Sequence, residues 1–246
     1  MAVSAILIHG AWQGSWVWRK LVPVLEQAGI PAVAIDLPGN GADDTPADRV
    51  TLDLYVDHIA SVAARMAGKV ALVGHSGGGI VATAAAERLF GKVDRVAYVA
   101  GMMLPSGMSF GDLLADMKAA ENGLLGIGPH LVWSEDRRAT VVPAEAAAEI
   151  FLSDMDRAEA LAAVARLTPQ PQGGRDVAAV WSPERFGRLT RLYVECAADR
   201  SVALALQRRM QDLVPGAERV TLDTGHAPQV SAPDLLVRAL VPFLKA

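Results

Sequence analysis

The sequence predicts an α/β protein: a mainly parallel six-stranded sheet flanked by helices, with a helical cap inserted after the fourth strand. Two observations carry this expectation. Short apolar runs that read as strands buried on both faces alternate with amphipathic runs of helical length. That rhythm stops near residue 101 and returns near residue 189, which is how an insertion at the carboxyl end of a strand reads.

Ala5 to Ile8 is the first expected strand, ending at His9-Gly10, and Trp16 to Ala28 is a helix closed by Gly29. Pro31 to Asp36 is the next strand, stopped by the dense turn signal Leu37-Pro38-Gly39-Asn40-Gly41. A helix over Leu52 to Ala67 leads to a strand over Lys69 to Val73, which runs into Gly74-His75-Ser76-Gly77-Gly78. An Ala-rich helix (Ile80 to Leu89) and a strand (Arg95 to Ala100) follow. Between about 102 and 188 no strand is expected. Helical stretches over Gly111 to Ala120, Ala144 to Phe151 and Arg157 to Leu167 are separated by Gly- and Pro-rich loops. The rhythm resumes with a strand (Arg191 to Cys196), a helix (Ala203 to Leu213), a strand (Arg219 to Leu222) and a closing helix (Leu235 to Leu244). No repeat or linker divides the chain, so 1–246 reads as one domain with core 1–101 and 189–246 and the cap at about 102–188.

Composition narrows the function classes. With 52% hydrophobic and 20% charged residues over 246 positions, the chain is globular rather than disordered. A net charge of −4 gives no electrostatic footprint for nucleic acid. No long apolar run lacks charges, so no membrane span is expected. Met1-Ala2-Val3-Ser4 carries no basic segment of the kind that opens a secretory signal, and Cys196 is the single cysteine, so the expected location is cytoplasmic.

The chemistry concentrates in Gly74-His75-Ser76-Gly77-Gly78, a G-x-S-x-G element between an expected strand and an expected helix. A tight strand-to-helix turn strains the serine backbone, demands small neighbours, and lifts the hydroxyl toward a helix N-terminus. The plainer alternative is a helix-capping serine in a Gly-rich turn. A nucleophilic serine needs a base and an orienting carboxylate. Of five histidines, His226 follows the last strand in a loop before the final helix, where this arrangement presents its base. His58 and His130 read as packing or surface residues, and His9 and His75 are tied to turns. A metal site from His9, His75 and His226 lacks ligand spacing, so no metal is expected. The acid expected from chain order is Asp199, with Asp223 as competitor and Glu195 a poorer candidate inside a strand. Two backbone N–H groups should hold the oxyanion: Gly77, after the nucleophile, and Ala11, in the loop after the first strand.

Assembled, these residues resemble the α/β-hydrolase superfamily nearly end to end. The likeness is strongest to the branch of plant methyl esterases and α-hydroxynitrile lyases with their bacterial esterase relatives. It rests on His9-Gly10-Ala11-Trp12, Gly14-Ser15-Trp16-Val17-Trp18, Asp36-Leu37-Pro38-Gly39, the turn at Ser76, Asp199, and Gly225-His226-Ala227-Pro228. The resemblance implies an α/β-hydrolase fold, no metal or organic cofactor, and an ester buried under a mostly helical cap. It also implies that the cyanogenic lyases carry a lysine directly after the catalytic histidine, where this sequence has Ala227, and that relatives carry a bulkier residue at Gly77.

The expected activity is hydrolysis of a small, largely apolar carboxylic ester (aryl, alkyl or methyl ester, or lactone) through an acyl-enzyme on Ser76. The alternatives are a hydroxynitrile or other carbon–carbon lyase, and a non-catalytic small-ligand-binding member of the fold. Trp12, Phe110, Leu124, Leu125 and Trp133 are the expected pocket residues. No basic pair in the cap marks a carboxylate clamp. The partner expected is a small-molecule ester, with no nucleic acid or membrane, and a homodimer is allowed.

Overall fold

Residues alternating along the first strand, β1 (Ser4–Ile8), divide the core in two. Ile6 and Ile8 face one apolar cluster and Ala5 and Leu7 the other, and all four are fully buried. A strand apolar on both sides must lie inside a sheet covered on both faces. The structure, a computed structural model, describes residues 3–246 and places β1 in that position. Met1 and Ala2, the start of the segment read for a leader, lie outside the described residues.

The sheet runs β2-β1-β3-β4-β8-β9, with β2 (Ala32–Ile35), β3 (Val70–His75), β4 (Val93–Val99), β8 (Thr190–Cys196) and β9 (Ala217–Leu222). Every pairing in it is parallel. Helices α2 (Leu52–Ala64), α3 (Gly78–Arg88) and α7 (Leu204–Leu213) supply the Ile6 face through Ile59, Val81 and Met210. Helices α1 (Val22–Gln27) and α8 (Pro233–Lys245) cover the Leu7 face through Leu25, Leu236 and Leu240. The strand order reverses at β1: β2 lies on one side and β3 on the other. Ligands of such sheets bind in the crevice outside the carboxyl ends at that reversal.

Between β4 and β8 lies the cap, built from α4 (Phe110–Asp116), α5 (Ala144–Phe151) and α6 (Arg157–Val164) together with a small antiparallel sheet. That sheet, β5 (Val132–Trp133), β6 (Ala139–Val141) and β7 (Gln170–Pro171), corrects the expectation of a strandless cap. Its strands are two or three residues long, too short to show a two-residue period, and β7 contains a proline. The helix expected over 16–28 is likewise divided into a 3-10 turn at Ser15–Trp18 and α1, which opens around Pro23.

Buried polar residues fasten cap to core. The Gln170 side chain accepts from Trp12 N–H (3.0 Å) and Asn40 Nδ2 (3.2 Å) and donates to Tyr55 OH (3.2 Å) and the Pro171 carbonyl (3.1 Å). Tyr55, whose phenol burial pushes up to about 12, donates to Asn40 Oδ1 at 3.0 Å. With every polar atom paired, such a network specifies one arrangement of the two layers.

Candidate active site

Strand β3 is buried throughout, so its end emerges from the sheet middle at the β1–β3 reversal. There Ser76 has φ +51°, a left-handed conformation that costs a non-glycine residue about 1 kcal/mol or more. The surroundings hold it: Ser76 N–H donates to the Val99 carbonyl (3.2 Å), and its own carbonyl accepts from Gly79 and Met102 (both 2.9 Å). The sharp turn requires glycine on either side. A Cβ on Gly74 would lie 2.6 Å from the Gly78 carbonyl oxygen, and one on Gly78 would lie 2.4 Å from the His9 carbonyl oxygen.

The candidate base sits on the loop after β9. His226 is buried, and its Nδ1–H donates to Asp199 Oδ2 at 2.7 Å. Asp199 leaves the end of β8 and is itself held: Oδ1 accepts from Ser201 N–H (2.7 Å) and Val202 N–H (2.9 Å). Gln207 Nε2, inside α7, reaches Asp199 Oδ2 at 3.4 Å. With Nδ1 committed to the carboxylate, Nε2 is left as the ring nitrogen that exchanges a proton. The competitor Asp223 is exposed, and Glu195 is buried among Arg208, Arg219, Gln211 and Thr221 on another wall of β8. The base loop is tied to the serine turn by His75, whose Nε2 donates to the His226 carbonyl at 2.9 Å while the two rings stand 4.7 Å apart. Burial, then the neighbouring His226, hold His75 well below the usual histidine range. Ser76 Oγ makes no hydrogen bond to His226 here, the looser geometry common in free active sites.

The loop after β1 is held by its own hydrogen bonds. Gly10 N–H donates to Gln13 Oε1 (3.1 Å), Gln13 N–H to the Gly10 carbonyl (3.3 Å), and Trp12 N–H to Gln170. Among the described residues Ala11 N–H and Gly77 N–H have no protein acceptor, and the two positions face each other: a Cβ on Gly77 would lie 3.8 Å from Ala11 N. Trp12, at φ +62°, turns the chain there, and its indole N–H is anchored on Thr140 of β6. The other histidines are occupied elsewhere. His9 donates from Nδ1 to the Gly10 carbonyl (2.8 Å) and accepts from Leu37 N–H (3.1 Å), and burial lowers its pKa. His58 is half-buried on α2, and His130 is exposed in the cap.

A cavity of about 200 Å³ opens over Ser76. Trp12, Phe110 and Leu125 line it, and Val81, Met102 and Ile127 extend its apolar wall. Leu124 and Trp133 do not. Leu124 packs against the core, and Trp133 is 37% exposed on the edge strand β5 beneath Arg137. Register on so short a strand decides which face a side chain takes, and composition alone does not reveal it. The structure also brings in polar groups that sequence reasoning missed: Tyr55, Gln170, Arg175 and Asp176. The Arg175 guanidinium lies 5.8 Å over the Trp12 ring, so the wall does carry a basic group. It comes from a loop 99 positions after Ser76, and no local pattern signals it.

With this geometry the likeness to known proteins can be placed. Residues 5–239 match the model of the "Alpha/beta hydrolase family". The chain belongs to that family. This α/β-hydrolase is 29% identical over 250 residues to methylesterase 7 of Arabidopsis thaliana, covering 96% of this chain and 94% of the relative. A crystal structure of a pyrethroid hydrolase superposes with a TM-score of 0.84 at 25% identity, covering 100% of this chain and 98% of that one. Polyneuridine aldehyde esterase superposes with a TM-score of 0.85 at 25% identity, covering 99% of each chain. As an α/β-hydrolase, the chain places Ser76, Asp199 and His226 after the third, fifth and sixth strands of the large sheet, in the chain order Ser–Asp–His of that fold.

Proposed function

We propose that this α/β-hydrolase is a serine esterase acting on a small, largely apolar carboxylic ester. The observation that carries the reading is the buried 2.7 Å hydrogen bond from His226 Nδ1–H to Asp199 Oδ2, with His226 on a loop fastened to the strained turn at Ser76. Relatives named as a methylesterase, a pyrethroid hydrolase and polyneuridine aldehyde esterase support it. In this reading His226 Nε2 takes the Ser76 proton as Oγ attacks the ester carbonyl, and Ala11 and Gly77 N–H groups hold the oxyanion. The alcohol departs with the proton from His226. Water, deprotonated by the same nitrogen, then releases the acid from Ser76. Asp199 fixes the imidazole tautomer and stabilises its protonated form. The cycle calls on no cofactor or metal.

The apolar wall fits the hydrocarbon parts of an aryl, alkyl or methyl ester or a lactone, and Arg175 fits a polar acceptor on the substrate. A cytoplasmic location and a homodimer complete the proposal; cell fractionation and sedimentation test them. The decisive experiment is labelling with a fluorophosphonate probe followed by peptide mass spectrometry. Stoichiometric label on Ser76 that vanishes in His226→Ala supports the reading. A folded native protein that takes no label at Ser76 and hydrolyses no aryl ester overturns it.

A further inference from the structure

A second cavity, of about 340 Å³, lies between the cap and the core and shares no lining residue with the catalytic one. Its floor is Gln229, which is 0% exposed, and neither its Nε2 nor its Oε1 has a hydrogen-bond partner. Leaving a buried amide unpaired is unfavourable for each of its groups, so the pair asks for a ligand offering one acceptor and one donor. The Trp16 indole N–H, on the same wall, is buried and unpartnered too, and asks for a second acceptor.

Three cations rim this cavity: Arg19, Lys20 and Arg166. Among the described residues none has a carboxylate within ion-pair distance. Lys20 Nζ donates to the Val230 carbonyl at 3.1 Å, and the Arg166 guanidinium lies 4.8 Å over the Trp16 ring. Glu159 is the one acid on the wall, which leaves an excess of two positive charges. Val17, Met155 and Val230 supply apolar surface between the polar groups. The volume is within the ordinary range of small-molecule sites.

We propose that this cavity binds a small hydroxylated organic carboxylate. Its carboxylate would accept from the indole N–H and the cationic rim, its hydroxyl would donate to Gln229 Oε1, and its carbon frame would lie on the apolar wall. Inorganic phosphate could satisfy the cations and donate a hydroxyl to Gln229 Oε1, but it would leave the apolar wall uncovered and should bind more weakly.

Isothermal titration calorimetry with 4-hydroxyphenylacetate tests this without reference to turnover, so its outcome is independent of the esterase reading. Native protein should bind one equivalent with a Kd of about 1 mM or tighter. Arg166→Met and Gln229→Leu should each weaken binding about tenfold or more, and the neutral 4-hydroxyphenylacetamide should bind as poorly. Gln229→Leu exchanges an unpaired amide for an apolar group of similar size, so its melting temperature should hold or rise. If that variant unfolds, Arg166→Met on the exposed rim decides. Gly77→Leu, which alters only the catalytic cavity, should leave binding unchanged. The proposal falls if no saturable binding appears, if binding survives both cavity variants, if Gly77→Leu removes it, or if inorganic phosphate binds as tightly.

Discussion

Replacing Asp199 by Asn tests the relay at its least exposed link. In the native protein Oδ2 accepts the His226 Nδ1 proton at 2.7 Å, while Oδ1 accepts two backbone N–H groups at 2.7 and 2.9 Å. An asparagine keeps the two backbone bonds only by leaving Oδ1 in place, which turns its NH₂ toward His226. The imidazole then accepts at Nδ1 and carries its proton on Nε2, so it cannot take the proton of Ser76. Gln207 Nε2, 3.4 Å from Oδ2, would face a donor instead of an acceptor, a further penalty of about 1–3 kcal/mol on stability. Tautomer loss of this kind costs about 10⁴ in kcat, or about 5 kcal/mol of transition-state stabilisation. Initial rates of 4-nitrophenyl acetate hydrolysis, with near-ultraviolet circular dichroism as a check on folding, read it directly. KM should change little. A folded Asp199→Asn retaining more than about a tenth of native kcat would refute the assignment of Asp199 as the orienting acid.

Other perturbations address the cavity and the buried histidines. A Cβ at Gly77 meets nothing closer than Ala11 N at 3.8 Å, and the position borders the cavity over Ser76, so Gly77→Leu should fold normally. It should depress kcat/KM about tenfold for bulky acyl groups while sparing acetates, and equal losses across a chain-length series would contradict this. Arg175→Met should raise KM about tenfold for esters bearing a second carbonyl or a carboxylate and leave simple alkyl esters alone; a uniform loss would assign Arg175 to folding. His75 and His9 are buried with lowered pKa values, mainly through desolvation, so the unfolded chain takes up their protons first as pH falls. Melting temperature should therefore decline as pH drops below about 6.5, the ordinary histidine value. A flat profile between neutrality and the carboxylate range would count against two buried neutral imidazoles.

Legibility in the sequence followed the range over which each feature is determined. The inner strands β1, β3, β4 and β8 are mainly buried runs of five to seven residues with turn signals beside them, and burial on both faces marks them wherever they pair; the edge strands β2 and β9 are less buried and are marked by their place in the strand–helix rhythm. Ser76, Asp199 and His226 could be read because each leaves the carboxyl end of a strand, so chain order placed all three on one edge. Tyr55, Gln170 and Arg175 could not. Each reaches the site from a helix, a two-residue strand or a loop, through contacts spanning more than a hundred positions, as in Gln170 with Tyr55 and Trp12. The cap illustrates the same limit: its small sheet pairs only two residues between neighbouring strands, and Trp133 faces outward because register, not composition, sets its side.

Whether the site hydrolyses or cleaves carbon–carbon bonds turns on the residue after His226. A departing carbanion such as cyanide needs a fixed cation, and the lyases this sequence resembles are expected to supply a lysine there. Ala227 occupies the position, fully buried in the apolar cluster with Leu236 and Phe243. An ammonium group at that depth would have to be neutralised or paired, at a cost of several kcal/mol. Arg175 is on the Trp12 wall of the cavity; burial lowers its pKa, yet a guanidinium is the side-chain cation least readily deprotonated. It therefore fits a polar substituent of the substrate better than a leaving group at His226. An ester leaving group needs no such cation, because His226 delivers a proton to the alkoxide as it departs. Mandelonitrile should accordingly yield no cyanide above the uncatalysed background under conditions where 4-nitrophenyl acetate is turned over. Cyanide release that disappears in Ser76→Ala would show that the site stabilises a carbanion by some other group, and Arg175→Met would be the next variant to assay.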